Sequence, residues 1–256
     1  MKKGLLLTVF FTLLFTGSIL AAPLDDYSKA GNVGLSIFTQ RTDMSVSRKS
    51  NSPTYSRTFD YDAKWNWGGE LTVSVAKNWA LSFDYLDSKN KEMPLSSATS
   101  PADYRSSKLK SHNIKLKYQA YKDDKLFVAP YLGLAMNKHS VALMVPHSFN
   151  TERKTSVLAG VTLVYGLDKD NRFKTYFDGA IGNKVYSWNI GVAYGVSKNL
   201  DFDFGYRYYR SKGMRYDYPT SSVFVPPTGM IALAGDNGKI DSKSKGFYFG
   251  LSYKFN

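Results

Sequence analysis

Residues Phe59–Val75 read FDYDAKWNWGGELTVSV, and the character of the side chain changes at every second position. The odd positions are apolar or small, whereas the even positions are charged, polar or glycine. This period of two is typical of a β-strand with one apolar and one polar face. The stretch is far longer than the ~5–6 residues usual in soluble sheets. Its apolar face would extend over more than about 40 Å at ~3.3 Å per residue, so it needs an equally extended apolar environment.

The same alternation recurs along the rest of the chain, and no later window shows apolar residues at helical spacing. We predict ten strands in all. Eight or twelve strands stay open as alternatives, because the pattern is weakest at the first strand and at the short link Gly182–Lys184. Besides Phe59–Val75, the predicted strands are Asn32–Gln40, Trp79–Leu86, Ser111–Tyr121, Leu126–Met136, Ser156–Leu167, Phe173–Ile181, Tyr186–Val196, Leu200–Tyr209 and Gly246–Phe255.

Short and long connections alternate between these strands. The short turns are rich in Lys, Asp and Asn and suit tight hairpins; they lie at Ala76–Asn78, Lys122–Asp124, Asp168–Asn171 and Ser197–Asn199. The longer polar links are Arg41–Arg57, Asp87–Leu109, Asn137–Lys154 and Arg210–Lys245. Both chain ends lie on the side of the short turns. This plan predicts an all-β fold, a closed antiparallel up-and-down transmembrane β-barrel.

Aromatic side chains gather near both ends of the predicted strands, as expected where a barrel meets the two surfaces of a bilayer. A soluble β-sandwich also alternates, but its strands are usually shorter. The residues predicted to lie at the membrane interfaces are Trp65, Trp67, Trp79, Tyr85, Trp188, Tyr194, Tyr208 and Phe255. On the long-loop side, the same pattern assigns Phe59 and Tyr61 to this belt.

The amino terminus has the layout of a secretory signal peptide. Two lysines precede the apolar run Gly4–Leu20, and the small residues Ala21 and Ala22 follow it. We predict cleavage after Ala21, which makes residues 1–21 the signal peptide and residues 22–256 a single β-barrel domain. The alternative, an uncleaved membrane anchor, needs about 20 apolar residues, and this run is shorter.

The last predicted strand, Gly246–Phe255, combines alternating aromatic residues with an internal glycine and ends on an aromatic residue one place before the end of the chain. It resembles the terminal strand that the outer-membrane assembly machinery recognises. The residues of this assembly signal are Phe247, Phe249, Gly250, Tyr253 and Phe255. Together with the barrel pattern, it makes the chain resemble small outer-membrane barrels of the OmpA-like and opacity-protein type. The resemblance implies location in the cell outer membrane, with the barrel-assembly machinery as a partner.

The polar faces of the strands would line the inside of such a barrel, where acidic and basic side chains nearly balance. The predicted lumen-facing charges are Asp60, Asp62, Lys64, Glu70, Asp84, Lys115, Lys117, Lys174, Asp178, Asp201, Asp203, Arg207 and Lys254. Paired charges can close a barrel, because an unpaired buried charge is very costly. Inward-facing glycines remove side-chain volume, but barrels of about eight strands are filled by side chains. We therefore expect at most a narrow water path.

The chain carries 34 Lys and Arg residues against 21 Asp and Glu residues. Because the predicted lumen is balanced, much of the excess positive charge must lie in turns and long loops. The outer leaflet of this kind of membrane is rich in polyanionic lipopolysaccharide, so we predict that the outer loops contact membrane lipid and lipopolysaccharide. Capture of an external polyanion or host ligand, without specific nucleic-acid recognition, stays open as an alternative.

No catalytic or metal-binding motif stands out. The chain has no Cys and three His, which excludes thiol chemistry and leaves little for a metal centre, so we predict no cofactor. His139 and His147 lie in one predicted loop and His112 lies at the outer end of a strand; a histidine in a polar loop is more often solvated surface than a general base. The predicted function is a structural or surface-interaction role without a catalytic site. A narrow solute channel and a rim-located enzyme are the alternatives.

Overall fold

The computed structural model describes residues 26–50, 56–91, 104–143, 148–218, 221–225, 229–233 and 236–255. The predicted signal peptide and His147 lie outside these ranges. The strands are β1 (Val33–Ser50), β2 (Ser56–Ala76), β3 (Trp79–Lys89), β4 (Tyr104–Tyr118), β5 (Tyr121–Lys122), β6 (Leu126–Leu143), β7 (Ser148–Asn150), β8 (Lys154–Gly166), β9 (Phe173–Gly182), β10 (Val185–Gly195), β11 (Leu200–Tyr218), β12 (Ser221–Val225), β13 (Gly229–Leu233) and β14 (Asp236–Phe255). Within the described residues, no helix has the length and hydropathy required to span a membrane.

Ten long strands close into a ring in the order β1, β2, β3, β4, β6, β8, β9, β10, β11 and β14. All neighbours pair antiparallel, and each strand neighbours the next long strand of the chain. β1 pairs with β14 from Val33 opposite Phe255 to Ser50 opposite Gly238, which closes the ring. The predicted closed antiparallel up-and-down barrel of about ten strands is therefore confirmed.

The four remaining strands are short. β5 and β7 pair with β6. β12 and β13 pair with each other, from Ser221 opposite Leu233 to Val225 opposite Gly229, as a separate hairpin between β11 and β14.

The barrel strands continue well past their predicted ends. β1 reaches Ser50 rather than Gln40, and β14 begins at Asp236 rather than at Gly246. Much of the sequence predicted as long outer loops is therefore strand. The difference has a physical reason: in these segments the outward positions are Lys- and Asp-rich and look like loop sequence, while apolar residues such as Met44 and Val46 point into the barrel.

A bulge in β2 reverses the face of the strand that points inward. Thr42 of β1 is opposite Lys64, whereas Met44 is opposite Tyr61, so β2 advances three residues while β1 advances two. An extra residue of this kind shifts every following side chain to the other face. Lys64 and Trp65 are accordingly both exposed, although they are neighbours in the strand.

The bulge corrects several predicted positions. Asp60, Asp62 and Lys64 are exposed on the outside of the barrel, so the prediction that they line the lumen is wrong. Phe59 and Tyr61 are buried inside, so their assignment to the outer aromatic belt is wrong as well. The sequence alone does not show this change, because Phe59–Val75 alternates without interruption and the register shift exists only relative to β1.

A second bulge lies in β11. Ser211 is opposite Ser242, but Met214 is opposite Ile240, so Lys212 and Gly213 of β11 stand against the single residue Asp241 of β14. Gly213 has φ of 64°, in the left-handed region that favours glycine. Beyond this point Met214 is fully buried, whereas Lys212 is exposed.

The bulges mark the level at which the barrel changes character. We call the part beyond them the extension: residues 42–50 of β1, 56–64 of β2, 104–111 of β4, 137–143 of β6, 210–218 of β11 and 236–245 of β14. The remainder is the membrane section, whose outer surface carries large exposed apolar side chains such as Trp67, Leu132 and Phe202. The extension has the opposite arrangement, with an apolar core of Met44, Val46, Phe59, Tyr61, Leu109, Val141, Met214, Tyr216 and Ile240. An apolar inside and a polar outside are what water favours.

Replacement of Ile240 by Ala tests this reversal. Ile240 is fully buried in the extension, so Ile240→Ala should lower the free energy of unfolding by about 2–5 kcal/mol. The neighbouring Lys239 points outward, and Lys239→Ala should change it by less than about 0.5 kcal/mol. Urea unfolding of the protein in phospholipid vesicles measures both. A larger loss for Lys239→Ala than for Ile240→Ala would contradict the reversal.

Candidate functional site

Ion pairs cross the lumen of the membrane section. The ammonium group of Lys115 on β4 lies 2.8 Å from Asp84 on β3 and 3.2 Å from Asp178 on β9. Lys117 lies 2.7 Å from Glu70 on β2. Because β9 is separated from β4 by two intervening strands, the contact with Asp178 links distant parts of the wall through the interior.

Hydroxyl groups add hydrogen bonds to two of these carboxylates, Asp178 and Glu70. Tyr131 and Thr162 donate to Asp178 at 2.9 and 2.7 Å, and Thr72 donates to Glu70 at 3.2 Å. The ammonium of Lys115 also lies 4.9 Å from the centre of the Tyr131 ring. A buried charge is tolerated when it is both paired and hydrogen-bonded. Glu70 and Asp178 meet both conditions, whereas Asp84 is paired with Lys115 but keeps one buried oxygen without a hydrogen-bond partner among the described residues.

Aromatic rings occupy the space beside the inward glycines. Each of four rings lies over the glycine directly opposite it on the next strand: Phe38 over Gly68, Tyr131 over Gly160, Tyr176 over Gly191 and Tyr248 over Gly205. A Cβ atom at any of these glycines would meet the ring at less than 3 Å. The glycines thus make room for aromatic side chains. The rings fill the space that inward glycines, read from the sequence, were expected to leave open.

The four rings hold further lumen groups. Arg207 stacks on Phe38, with its guanidinium carbon 3.9 Å from the ring centre. The hydroxyl groups of Tyr176 and Tyr248 are hydrogen-bonded to each other. Two small cavities lie among these side chains, of about 50 Å³ and about 30 Å³. Such volumes hold only a few water molecules.

The segment before β1 covers the end of the barrel with the short turns. Tyr27 is fully buried and packs edge-on against Phe127, with ring centres 5.2 Å apart. Its backbone N–H donates to the side chain of Gln119, and its carbonyl accepts from the Asn78 N–H. Sequence reasoning missed Tyr27, because it lies outside every alternating segment.

Charge pairing also holds this segment. Asp26 lies 2.7 Å from Lys122 of the short strand β5. Partial burial acts to raise the pKa of Asp26, but the hydrogen bonds from Lys122 and Ser28 outweigh it, and the pKa is lowered.

Ten of the predicted lumen charges lie inside the barrel, and their signs balance. The acidic members are Glu70, Asp84, Asp178, Asp201 and Asp203, and the basic members are Lys115, Lys117, Lys174, Arg207 and Lys254. The predicted interface aromatics all lie on the outer surface. Trp79, Tyr194 and Phe255 are near the short turns, and Trp65, Trp67, Tyr85, Trp188 and Tyr208 are near the extension.

The residues of the proposed assembly signal lie on the strand that closes the barrel. Phe247, Phe249 and Phe255 are exposed on the outside of β14, Tyr253 is half-buried, and Gly250 is buried. Neighbouring strands supply aromatic contacts, including Phe204 against Phe249 with ring centres 5.0 Å apart.

The histidines do not form a rim site in the described residues. His139 is fully buried in the extension, where its Nε2 is hydrogen-bonded to the Ser107 hydroxyl. Burial lowers the pKa of His139 to about 3, so the ring is neutral at physiological pH. A buried imidazole cannot reach a proton on an external substrate. His112 lies on the outside of β4 with its ring 5.1 Å from that of Tyr85.

Residues 11–255 match the family described as the outer membrane protein beta-barrel domain. The chain belongs to this family. Membership places the protein in the outer membrane, consistent with the outward apolar face of the membrane section. No curated protein matches the chain in sequence.

Several solved structures have a similar fold. The outer membrane protease OmpT from Escherichia coli aligns with a TM-score of 0.50 and 10% identity over 92% of this chain and 99% of that chain. Neisserial surface protein A aligns with a TM-score of 0.40 and 16% identity over 88% and 99%. The attachment invasion locus protein Ail of Yersinia pestis aligns with a TM-score of 0.38 and 12% identity over 89% and 100%. At 10% identity, the similarity to OmpT shows a shared fold but does not show a shared activity.

A double variant tests the buried ion pair. Lys117→Met leaves Glu70 charged and partly unpaired in the lumen, so the free energy of unfolding should fall by about 3–5 kcal/mol. The double variant Lys117→Met/Glu70→Gln removes both charges and should recover much of this loss. Urea unfolding in vesicles measures the two variants; equal losses in both would show that the pair is not the source of the effect.

The pH dependence of stability tests the burial of His139. Its folded pKa of about 3 lies below the ordinary 6.5, so between these values the unfolded chain binds a proton that the folded protein does not. Stability is therefore lost as the pH falls from 6.5 towards 3. From pH 7.5 to pH 5, the wild type should lose about 2 kcal/mol more than His139→Asn, at ~1.4 kcal/mol per pH unit. Identical pH profiles would place His139 in contact with solvent.

Proposed function

We propose that the protein is a non-conducting outer-membrane barrel that acts at the cell surface, through the positively charged outside of its extension. The filled lumen supports the first part of this proposal. Ion pairs, the four aromatic rings and Tyr27 occupy the interior of the membrane section, and the extension adds an apolar core above them. A solute path would require several of these contacts to break.

The charge on the outside of the extension supports the second part of the proposal, which is action at the cell surface. Among the described residues around it, the outward basic side chains are Arg41, Lys49, Lys64, Lys89, Lys91, Lys108, Lys110, Lys138, Arg153, Lys154, Lys184, Arg210, Lys212, Arg215, Lys239, Lys243 and Lys245. The outward acidic side chains are fewer: Asp43, Asp60, Asp62, Asp87, Glu152, Asp217 and Asp241. A surface of one dominant sign attracts polyanions over a Debye length, which is ~8 Å at physiological salt.

Like charges lie directly opposite each other on neighbouring strands of this surface. The pairs are Arg210 with Lys243, Arg215 with Lys239, Lys49 with Lys239, and Lys110 with Lys138. Directly opposed like charges destabilise a sheet by themselves. An anion bound from outside offsets this repulsion, and this arrangement is the observation on which the proposal depends. The phosphate-rich outer leaflet and acidic polysaccharides are its expected partners, and the assembly machinery is the expected partner of β14.

Binding to a soluble polyanion tests the proposal. The detergent-purified protein should bind immobilised dextran sulfate, and the binding should weaken steeply between 50 and 500 mM NaCl, at least about tenfold, because it depends on counterion release. Uncharged dextran is the matched control. Equal binding to both polymers, or binding that salt does not change, would refute the electrostatic role.

Conductance provides the second readout. In planar lipid bilayers the protein should give no stable conductance steps, because its lumen is filled along its length. Reproducible single-channel steps would favour the narrow channel over the closed barrel.

A further inference from the structure

We infer that the outer face of the β11–β14 strand pair binds one phosphorylated lipid of the outer leaflet, with its phosphate between Arg210 and Lys243 and an acyl chain in the apolar groove below. This inference deepens the proposed surface role and rests on it. It assigns one ligand to one place on a barrel whose basic surface is otherwise broad.

Residues on this face change from basic to apolar in one direction along the strands. Counted from the extension towards the short turns, the outward pairs are Arg210 with Lys243, Tyr208 with Lys245, Tyr206 with Phe247, Phe204 with Phe249, and Phe202 with Leu251. The two ends are eight residues apart, which is about 26 Å at ~3.3 Å per residue. This is the order of groups in a membrane lipid: a charged headgroup, an interfacial region and a hydrocarbon chain.

The cations at the basic end are not neutralised by an ion pair within the described residues, although Asp43 on β1 is directly opposite Lys245. Arg210, Lys243 and Lys245 form no ion pair with any described residue; the contact that Lys243 makes is with the Tyr208 ring, 5.7 Å from its centre. Directly opposed residues have Cβ atoms about 4.5–5.5 Å apart, so both side chains can reach one phosphate group. Arginine and lysine donate to phosphate oxygens in this manner.

The apolar end is concave. A groove of about 580 Å³ lies on the outside of the membrane section. Its walls include Leu35, Ile37, Val192, Phe202, Phe204 and Leu251, which belong to β1, β10, β11 and β14. The volume lies within the ~300–1,000 Å³ range of ligand sites. Its lining is almost entirely apolar, which suits a hydrocarbon chain and no polar ligand.

Charge and position together select the lipid. The cation pair lies next to Tyr208 and Trp188, whose rings stack with centres 5.8 Å apart at the level where aromatic residues meet headgroups. An anion held there while its chain fills the groove must be amphiphilic, and a phosphorylated glycolipid of the outer leaflet has both parts. A free phosphate ion would use the cations and leave the groove unused.

The opposite wall provides a matched control. Lys110 and Lys138 are also directly opposed, on β4 and β6, and form the same type of like-charge pair. Asp87 is opposite Lys110 on β3, so an acidic residue already neighbours this pair. Neither lysine lies above the groove, which involves β1, β2, β10, β11 and β14.

Native mass spectrometry of the detergent-solubilised protein tests the site, with bisphosphorylated hexa-acyl lipid A as the probe. The wild type should retain one lipid A molecule, and Arg210→Gln/Lys243→Gln should reduce the bound fraction about tenfold. Lys110→Gln/Lys138→Gln should reduce it by less than about twofold, because this pair belongs to the basic surface but has no groove below it. Dephosphorylated lipid A and inorganic pyrophosphate should both bind at least about tenfold more weakly than lipid A. A shift between heated and unheated samples on gels verifies that each variant is folded.

Other outcomes overturn the inference in separate ways. Equal loss in the two double variants would show a diffuse basic surface without a specific site. Retention of pyrophosphate as strong as that of lipid A would show an anion site without a role for the groove. If lipid A binding is unaffected by Arg210→Gln/Lys243→Gln while dextran sulfate still binds, the lipid site is refuted but the proposed surface role is supported. If the wild type also does not bind dextran sulfate, both the lipid site and the proposed surface role are refuted.

Discussion

Pairing of the backbone in lipid is the constraint on which the rest of this structure depends. Amide and carbonyl groups in the hydrocarbon region find no water, so both edges of every strand must be paired with another strand. The contact of β1 with β14 over sixteen residue pairs meets this requirement by closing the ring. Once the ring is closed, each strand has one face towards lipid and one towards the lumen, and alternation along the sequence becomes a division between two environments.

Closure also creates an interior that must be filled. In a ring of ten strands the lumen is narrow, and this chain fills it with rings seated over glycines and with carboxylates held by Lys115 and Lys117. The two devices solve different problems. A glycine lets a large ring lie flat across its partner strand, whereas the ion pairs cross between walls and neutralise the charges that the polar faces bring inside. An interior occupied in this way leaves the outside of the barrel as the surface available for interaction.

The reversed arrangement of the extension arises because the same ring of strands continues beyond the membrane into water. Above the membrane, water replaces lipid around the barrel, so burial favours apolar residues inside, and the core around Met214 and Ile240 meets this condition. At this level, the bulges in β2 and β11 change which face of each strand points into the barrel. Tyr61 and Met214 therefore point inward and Asp62 points outward. One consequence is a sharp boundary on the outer surface, where cations stand directly above apolar side chains.

Sequence alone determined the fold class, the two aromatic groups and ten of the lumen charges, because a period of two reports the face of a residue without reference to any partner. It predicted about ten strands but left eight or twelve open, and the closed ring decided the number. The sequence did not reveal the β2 bulge that turns Asp60, Asp62 and Lys64 outward, since a register shift exists only between two strands. The same reason applies to Tyr131 over Gly160, to Tyr27 at the end of the barrel and to the burial of His139. Only the tertiary structure decided which residue stands opposite which, because those contacts join positions far apart in the chain.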